Sequence, residues 1–149
     1  MSVGDIEPSF ALLPFKWLDA FSMEVPEIDA DHRKLIDLSE KLIQLLRINR
    51  QWSRVVATLK STRKYWIAHC RREESILIAD KYPDIAPHQQ EHRRITQNMD
   101  RIIVLLSGAG KRGSPTDVET ASLFRSMIVD HMLLFDLAYK SHVLYARGR

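Results

Sequence analysis

The sequence predicts an all-α fold, an up-down-up-down antiparallel four-helix bundle with an irregular N-terminal arm. Three observations predict it. Apolar residues recur at helical spacing through most of the chain, and strand-like alternation is scarce. The helical stretches are separated by proline- and glycine-bearing breaks such as "DKYPD" and "LSGAGKRGSP". The connections are short, which makes successive helices antiparallel neighbours. A chain of 149 residues suits one core. We assign 1–149 to a single domain, with an arm at 1–25, a bundle at 26–140 and a tail at 141–149.

The first helix is expected from about Pro26 to Arg47, with Ile28, Leu35, Leu38, Leu42, Leu45 and Leu46 as its apolar stripe. The second runs from about Trp52 to Asp80. Pro83 ends it, because proline cannot continue a helix and disfavours helical geometry in Tyr82. The third starts near Asp84, which can cap the free amides, with Pro87 tolerated in the first turn. It stops in the glycine-rich break. Ser114 can cap the fourth helix, with Pro115 at its first position and Asp117 and Glu119 in its first turn. That helix reaches about Tyr139 or beyond.

Composition excludes several classes. The net charge is +3, and the arginine pairs Arg71-Arg72 and Arg93-Arg94 are scattered, so they read as solvated helix faces and no nucleic-acid surface is expected. Cys70 is the single cysteine, which rules out an internal disulfide and any cysteine-rich metal site. No apolar run approaches the ~18 residues that span a bilayer, so no membrane partner is expected. Asp5 and Glu7 precede the short patch "FALLPF", a poor signal peptide, and a cytoplasmic location is the expectation.

There are six histidines, and five fall on predicted helices. His32 lies early in the first, His69 past the middle of the second, His88 and His92 open the third, and His131 lies late in the fourth. In an antiparallel bundle these positions converge at one end of the core. His88 and His92 are four apart, as are His69 and Glu73, so each pair shares a helix face, about 40° apart in azimuth. Asp136 follows His131 by five, about 140° round a regular helix. A local π-turn would bring these two together, and such distortions favour functional sites. Five imidazoles and two carboxylates exceed the four ligands of one tetrahedral zinc and suit two metal ions with carboxylate bridges. Ligand type leaves iron, manganese and zinc open. The Glu-x-x-His pairs of ferritin-like di-iron bundles are absent. His142, eleven residues past His131, is ~16 Å further along the helix axis and too far to ligate; it reads as a tail residue.

The pattern H-x3-E, Y-P, H-x3-H, H-x4-D, carried by "FKWLDAFSMEVPEIDADHRKLIDL", "HCRREESILIADKYPDIAPHQQEH" and "DHMLLFDLAYK", resembles the hemerythrin family, in particular its single-domain bacterial members. The resemblance implies a cofactor of two iron ions (Fe2+/Fe3+) with an oxo or hydroxo bridge. It implies that His88, His92 and His131 hold one iron and that His32 and His69 hold the second. Glu73 and Asp136 would bridge both. Dioxygen, the implied partner, would bind reversibly at the open position of the second iron, for oxygen storage, delivery (oxygen transport) or sensing. Leu35, Cys70, Ile128 and Met132 are the candidate walls of the oxygen pocket. The chain departs from the family pattern at Cys70, where phenylalanine is usual, at Met127, often tryptophan, and at Leu77, commonly methionine. Losing a large ring at position 70 would widen the pocket or admit solvent. An oxygen-binding protein is the leading reading, with no catalytic residue assigned. The alternatives are a di-iron redox enzyme, peroxidase-like or handling nitric oxide, and a redox-sensing regulatory module. No protein partner is indicated.

Overall fold

The computed structural model describes residues 16–48, 52–108 and 117–148. After a short 3-10 turn (Asp19–Phe21) come three unbroken helices: α1 (Pro26–Ile48), α2 (Trp52–Ala79) and α3 (Ile85–Ser107). The fourth helical rod has three parts: α4 (Asp117–Arg125), a π-helical stretch (Ser126–Asp136) and α5 (Leu137–Ala146). No strand occurs among the described residues. α1 packs on α2 and α4, α2 on α3, and the π-helical stretch on both α1 and α3. His32, early in α1, lies beside His69 and Glu73, late in α2, and beside Asp136, late in the fourth rod. His88, early in α3, lies beside Glu73 as well, and together these pairings fit up-down-up-down packing. No helix among the described residues is long and apolar enough to cross a membrane.

Several expected details differ. The inward stripe of α1 is Ile28, Leu35, Ile36, Leu42, Ile43 and Leu46, while Leu38 and Leu45 are only partly buried. The helix is turned so that Asp31, His32 and Ser39 also face inward. Asp84 stands at the N-cap of α3 but its side chain makes no capping bond; its carbonyl accepts from the amide of His88 at 3.3 Å. The fourth rod continues to Ala146, past the start of the expected tail. The expected cap at Ser114 and Pro115 and most of the arm lie outside the described residues.

α2 ends as expected before Pro83, and a capping motif accompanies the proline. The Tyr82 amide donates to the Leu77 carbonyl at 2.9 Å and the Lys81 amide to the Ile78 carbonyl at 3.1 Å. This is the Schellman arrangement, with Lys81 in the left-handed region at φ 55°. Tyr82 packs on the cluster that holds Leu77, the apolar contact that accompanies this cap. A side chain there carries a left-handed penalty of about 1–2 kcal/mol. Lys81→Gly should therefore raise unfolding stability by up to about 1 kcal/mol, read as a higher midpoint in thermal or urea denaturation.

The core divides into two apolar clusters. The larger includes Leu35, Leu42, Leu46, Leu59, Trp66, Ile95, Met99, Phe124 and Met132. The smaller is Met23, Val25, Ile28, Leu77, Tyr139 and Val143, with Ile85 packed against it. The arm closes this second cluster over the end of the bundle. Asp29 accepts the Ser22 hydroxyl at 2.6 Å and the Met23 amide at 2.7 Å, and Lys140 donates to the Ser22 carbonyl at 2.9 Å. On every rod the histidines and carboxylates lie between a residue of one cluster and a residue of the other. On α1, for example, His32 separates Ile28 from Leu35. A polar layer is thus sealed between two apolar ones.

Candidate metal centre

The sealed layer holds His32, His69, Glu73, His88, His92, His131 and Asp136, each no more than 3% exposed. α2 brings His69 and Glu73 to one face by their four-residue spacing, and α3 does the same for His88 and His92. The π-helical stretch contains both His131 and Asp136. Its wider turn offsets the five-residue spacing and brings His131 Nε2 to 2.9 Å from Asp136 Oδ1.

Both carboxylates are divided between the same two sets of imidazoles. Glu73 Oε1 lies 2.5 Å from His88 Nε2, 3.1 Å from His92 Nε2 and 3.7 Å from His131 Nε2. Glu73 Oε2 lies 3.5 Å from His32 Nε2 and 3.3 Å from His69 Nε2. Asp136 Oδ1 faces His131 and, at 3.4 Å, His88, while Oδ2 faces His32 at 2.9 Å. Two donor groups result, Glu73–His88–His92–His131 and His32–His69–Glu73–Asp136, each with its donor atoms within 4.8 Å of one another.

The donors fit metal ions better than they fit each other. Nε2 of His32, Nε2 of His69 and both oxygens of Asp136 are buried without a hydrogen-bond partner, although nitrogens and oxygens approach to 2.9 Å. Such atoms converge on a common point rather than along each other's bonds. A buried polar atom left without a partner costs on the order of 1–3 kcal/mol, and a cation between them would supply the partner. Without one, the layer holds charge as ion pairs. Burial opposes the charged form of His32, but Asp136 and Glu73 raise it to about 9. Burial likewise opposes a charged His131, and the same two carboxylates raise it to about 10. Burial pushes Glu73 up, yet the imidazoles hold it well below the usual carboxylate range. Binding a metal there would displace those imidazole protons.

Partners stand behind the donors. His69 Nδ1 is 3.1 Å from Asp31 Oδ2, and His92 Nδ1 is 2.6 Å from Glu74 Oε1. The Tyr139 hydroxyl donates to Glu73 Oε2 at 2.8 Å. Burial and the neighbouring carboxylates push that hydroxyl well up, so it stays a donor. Trp66 packs its ring 5.2–5.6 Å from those of His69, His92 and His131, and its indole N–H donates to Thr96 at 2.9 Å. Sequence reading did not assign roles to Asp31, Tyr139 or Trp66. Their signals were local: Asp31 adjoins His32, Tyr139 follows Asp136 by three, and Trp66 precedes His69 by three.

Leu35, Cys70, Ile128 and Met132 are all buried in the larger apolar cluster together with Trp66. A pocket of about 240 Å3, open to the surface between α2 and α3, has Arg71, Arg93 and Gln97 among its walls and Cys70, Glu74 and His92 on its inner side. Burial, then the charges of Glu73, Glu74 and Asp136, push the Cys70 thiol far above its ordinary range. Cys70 should therefore resist a maleimide at neutral pH and react only on unfolding, measured by mass spectrometry with and without denaturant. His142 stands apart from the donors. Its Nε2–H donates to the Asp80 carbonyl at 2.7 Å, and its ring lies 5.5 Å from that of Tyr82.

A four-helix bundle with imidazoles and carboxylates converging in its sealed interior has the design of a metal-binding bundle protein. Residues 23–141 match the Hemerythrin HHE cation binding domain, and the chain belongs to the hemerythrin family. It is similar to a bacteriohemerythrin of Clostridium acetobutylicum, with 27% identity over 81 residues. The matched stretch covers 52% of this chain and 63% of that protein.

Proposed function

We propose that this protein binds dioxygen reversibly at a non-haem di-iron centre. The observation that carries the reading is the division of Glu73 and Asp136, each with one oxygen toward His131 or His88 and the other toward His32. Two carboxylates placed that way suit a pair of cations. His88, His92 and His131 would hold one iron, His32 and His69 the other, with Glu73 and Asp136 shared and an oxo or hydroxo bridge between the ions. With three imidazoles on one side and two on the other, the two-histidine side would offer its ion one protein donor fewer. The iron pair, when bound, supplies the electrons that a dioxygen ligand takes up and returns.

The chain's own residues keep that exchange reversible. Leu35, Ile128 and Met132, each no more than 3% exposed and part of the larger apolar cluster beside the layer, exclude water and its protons. Trp66 fills the space among three of the imidazoles and fixes their planes. Tyr139 holds Glu73 Oε2 by its hydroxyl and so resists rotation of the carboxylate. The absence of a membrane-spanning helix among the described residues is compatible with the cytoplasmic location we propose.

A second reading, a di-iron redox enzyme, is favoured by the cavity beside Cys70, which brings open space to the edge of the site. Cycles of air and vacuum on the reduced, iron-loaded protein separate the two. A visible oxygenated band that returns over many cycles supports oxygen carriage. Rapid bleaching to an oxidised form that turns over added peroxide supports the enzyme and sinks the carrier.

A further inference from the structure

One of the two imidazoles on the two-histidine side has a charged support that reaches the surface. His69 points Nε2 at Glu73, 3.3 Å away, and Nδ1 at Asp31, 3.1 Å away. Asp31 is 4% exposed. Arg72 grips both of its oxygens, Nε to Oδ2 at 2.9 Å and a terminal nitrogen to Oδ1 at 2.6 Å. The Tyr65 hydroxyl adds a third bond to Oδ1 at 3.2 Å, and the Arg72 guanidinium lies 5.8 Å from the Tyr65 ring centre. Asp31 and His32 are consecutive on α1, so one turn of α1 offers a donor to the centre and an anchor to the neighbouring donor. The three-histidine side is built differently. Glu74, which backs His92, is a quarter exposed and takes a bond from the neutral amide of Gln89 at 3.3 Å, with no arginine or lysine side chain paired to it among the described residues. Nδ1 of His131, on that side, has no hydrogen-bond partner, and neither has Nδ1 of His32 on the other.

We propose that Asp31, held by Arg72 and Tyr65, is the positioning residue of the two-histidine side: it accepts the Nδ1–H of His69 and fixes Nε2 as the atom offered to metal. This rests on the ligand assignment above and goes beyond it. An ionised carboxylate on the far nitrogen makes an imidazole a stronger donor, and such partners are worth 10–100-fold in metal affinity. A stronger donor stabilises the more oxidised ion, so Asp31 lowers the reduction potential on the side where dioxygen would bind. Arg72 offsets part of that charge and, being 46% exposed, can turn to water if its partner is removed.

The test loads the full chain with Co2+ without air and withdraws it with a competing chelator, for the wild type, Asp31→Asn, Asp31→Leu and His69→Ala. The reduction potential of the iron-loaded protein is measured alongside. Asp31→Leu should weaken one of the two sites 10–100-fold and leave the other unchanged. Asp31→Asn keeps an acceptor oxygen without the charge, so it should weaken that site less and raise the potential. Wild-type affinities and potential in Asp31→Asn overturn the proposal, and they do so even if Asp31→Leu fails to fold. A purely structural role, in which both sites weaken together with the melting temperature and the potential stays put, also overturns it. If His69→Ala itself retains both metals at wild-type affinity, the ligand assignment has failed, which is a separate result from wild-type behaviour confined to the Asp31 variants.

Discussion

Glu73→Ala is expected to abolish binding of both metal ions, whereas loss of a single histidine should spare one. Glu73 is the residue common to both donor groups. Its Oε1 serves three imidazoles and its Oε2 two, and its side chain is fully buried. Removing it takes a ligand from each ion and leaves five buried imidazoles with Asp136 as their one remaining carboxylate within the layer. Protonated imidazoles then lose the carboxylate nearest the middle of the layer and keep only Asp136 there, with Asp31 behind His69 and Glu74 behind His92, so the metal-free variant should also be destabilised, by up to roughly 3–5 kcal/mol as for breaking a buried pair. Glu73→Gln keeps the volume and one acceptor oxygen and separates the two effects. It should fold yet hold little metal. The measurement is metal per chain by elemental analysis after desalting, with His142→Ala as a control that keeps its full content. Wild-type metal content in Glu73→Gln would show that the sharing is wrong.

Metal removal should cost the fold itself a large part of its stability. The layer contains buried atoms with no hydrogen-bond partner, including Nε2 of His32 and His69 and both oxygens of Asp136. A cation among them would supply the missing partner. A ligand that binds the native state alone at about a thousand times its Kd contributes about 4 kcal/mol. For a chain of this size, that corresponds to a drop of roughly 10 °C in melting temperature. The contrast is read by calorimetry on loaded and chelator-stripped protein. Equal melting temperatures would mean that the imidazole–carboxylate pairs alone satisfy the layer.

The fold was legible because its signals are periodic. The spacing of Val55, Leu59, Thr62, Trp66, His69 and Glu73 on α2 marks one inward face, and the donors share that face with the core residues. The candidate site was legible for the same reason, since residues four apart on a helix must be neighbours. The His131–Asp136 spacing gave the most information because it breaks the rule. Five residues fit one face only if the helix widens, and the π-helical stretch Ser126–Asp136 is the widening. What stayed hidden depends on rotation and on contacts between helices. The true stripe of α1 includes Ile36 and Ile43 at the expense of Leu38 and Leu45, which periodicity alone could not decide because either set has helical spacing. The clamp of Arg72 on Asp31 joins residues 41 apart in sequence, and that of Tyr139 on Glu73 joins residues 66 apart. The end of α2 was legible from Pro83, but its Schellman cap was not, because a lysine occupies a position that glycine usually marks.

The most direct test of the di-iron reading is the stoichiometry of gas and metal in one sample. The protein is reduced without air, its iron is counted, and dioxygen uptake and release are measured together with the visible spectrum. Two irons per chain, one dioxygen taken up per pair and recovered under vacuum is the predicted result. A chain that holds zinc alone, or iron that consumes dioxygen without returning it, would contradict it.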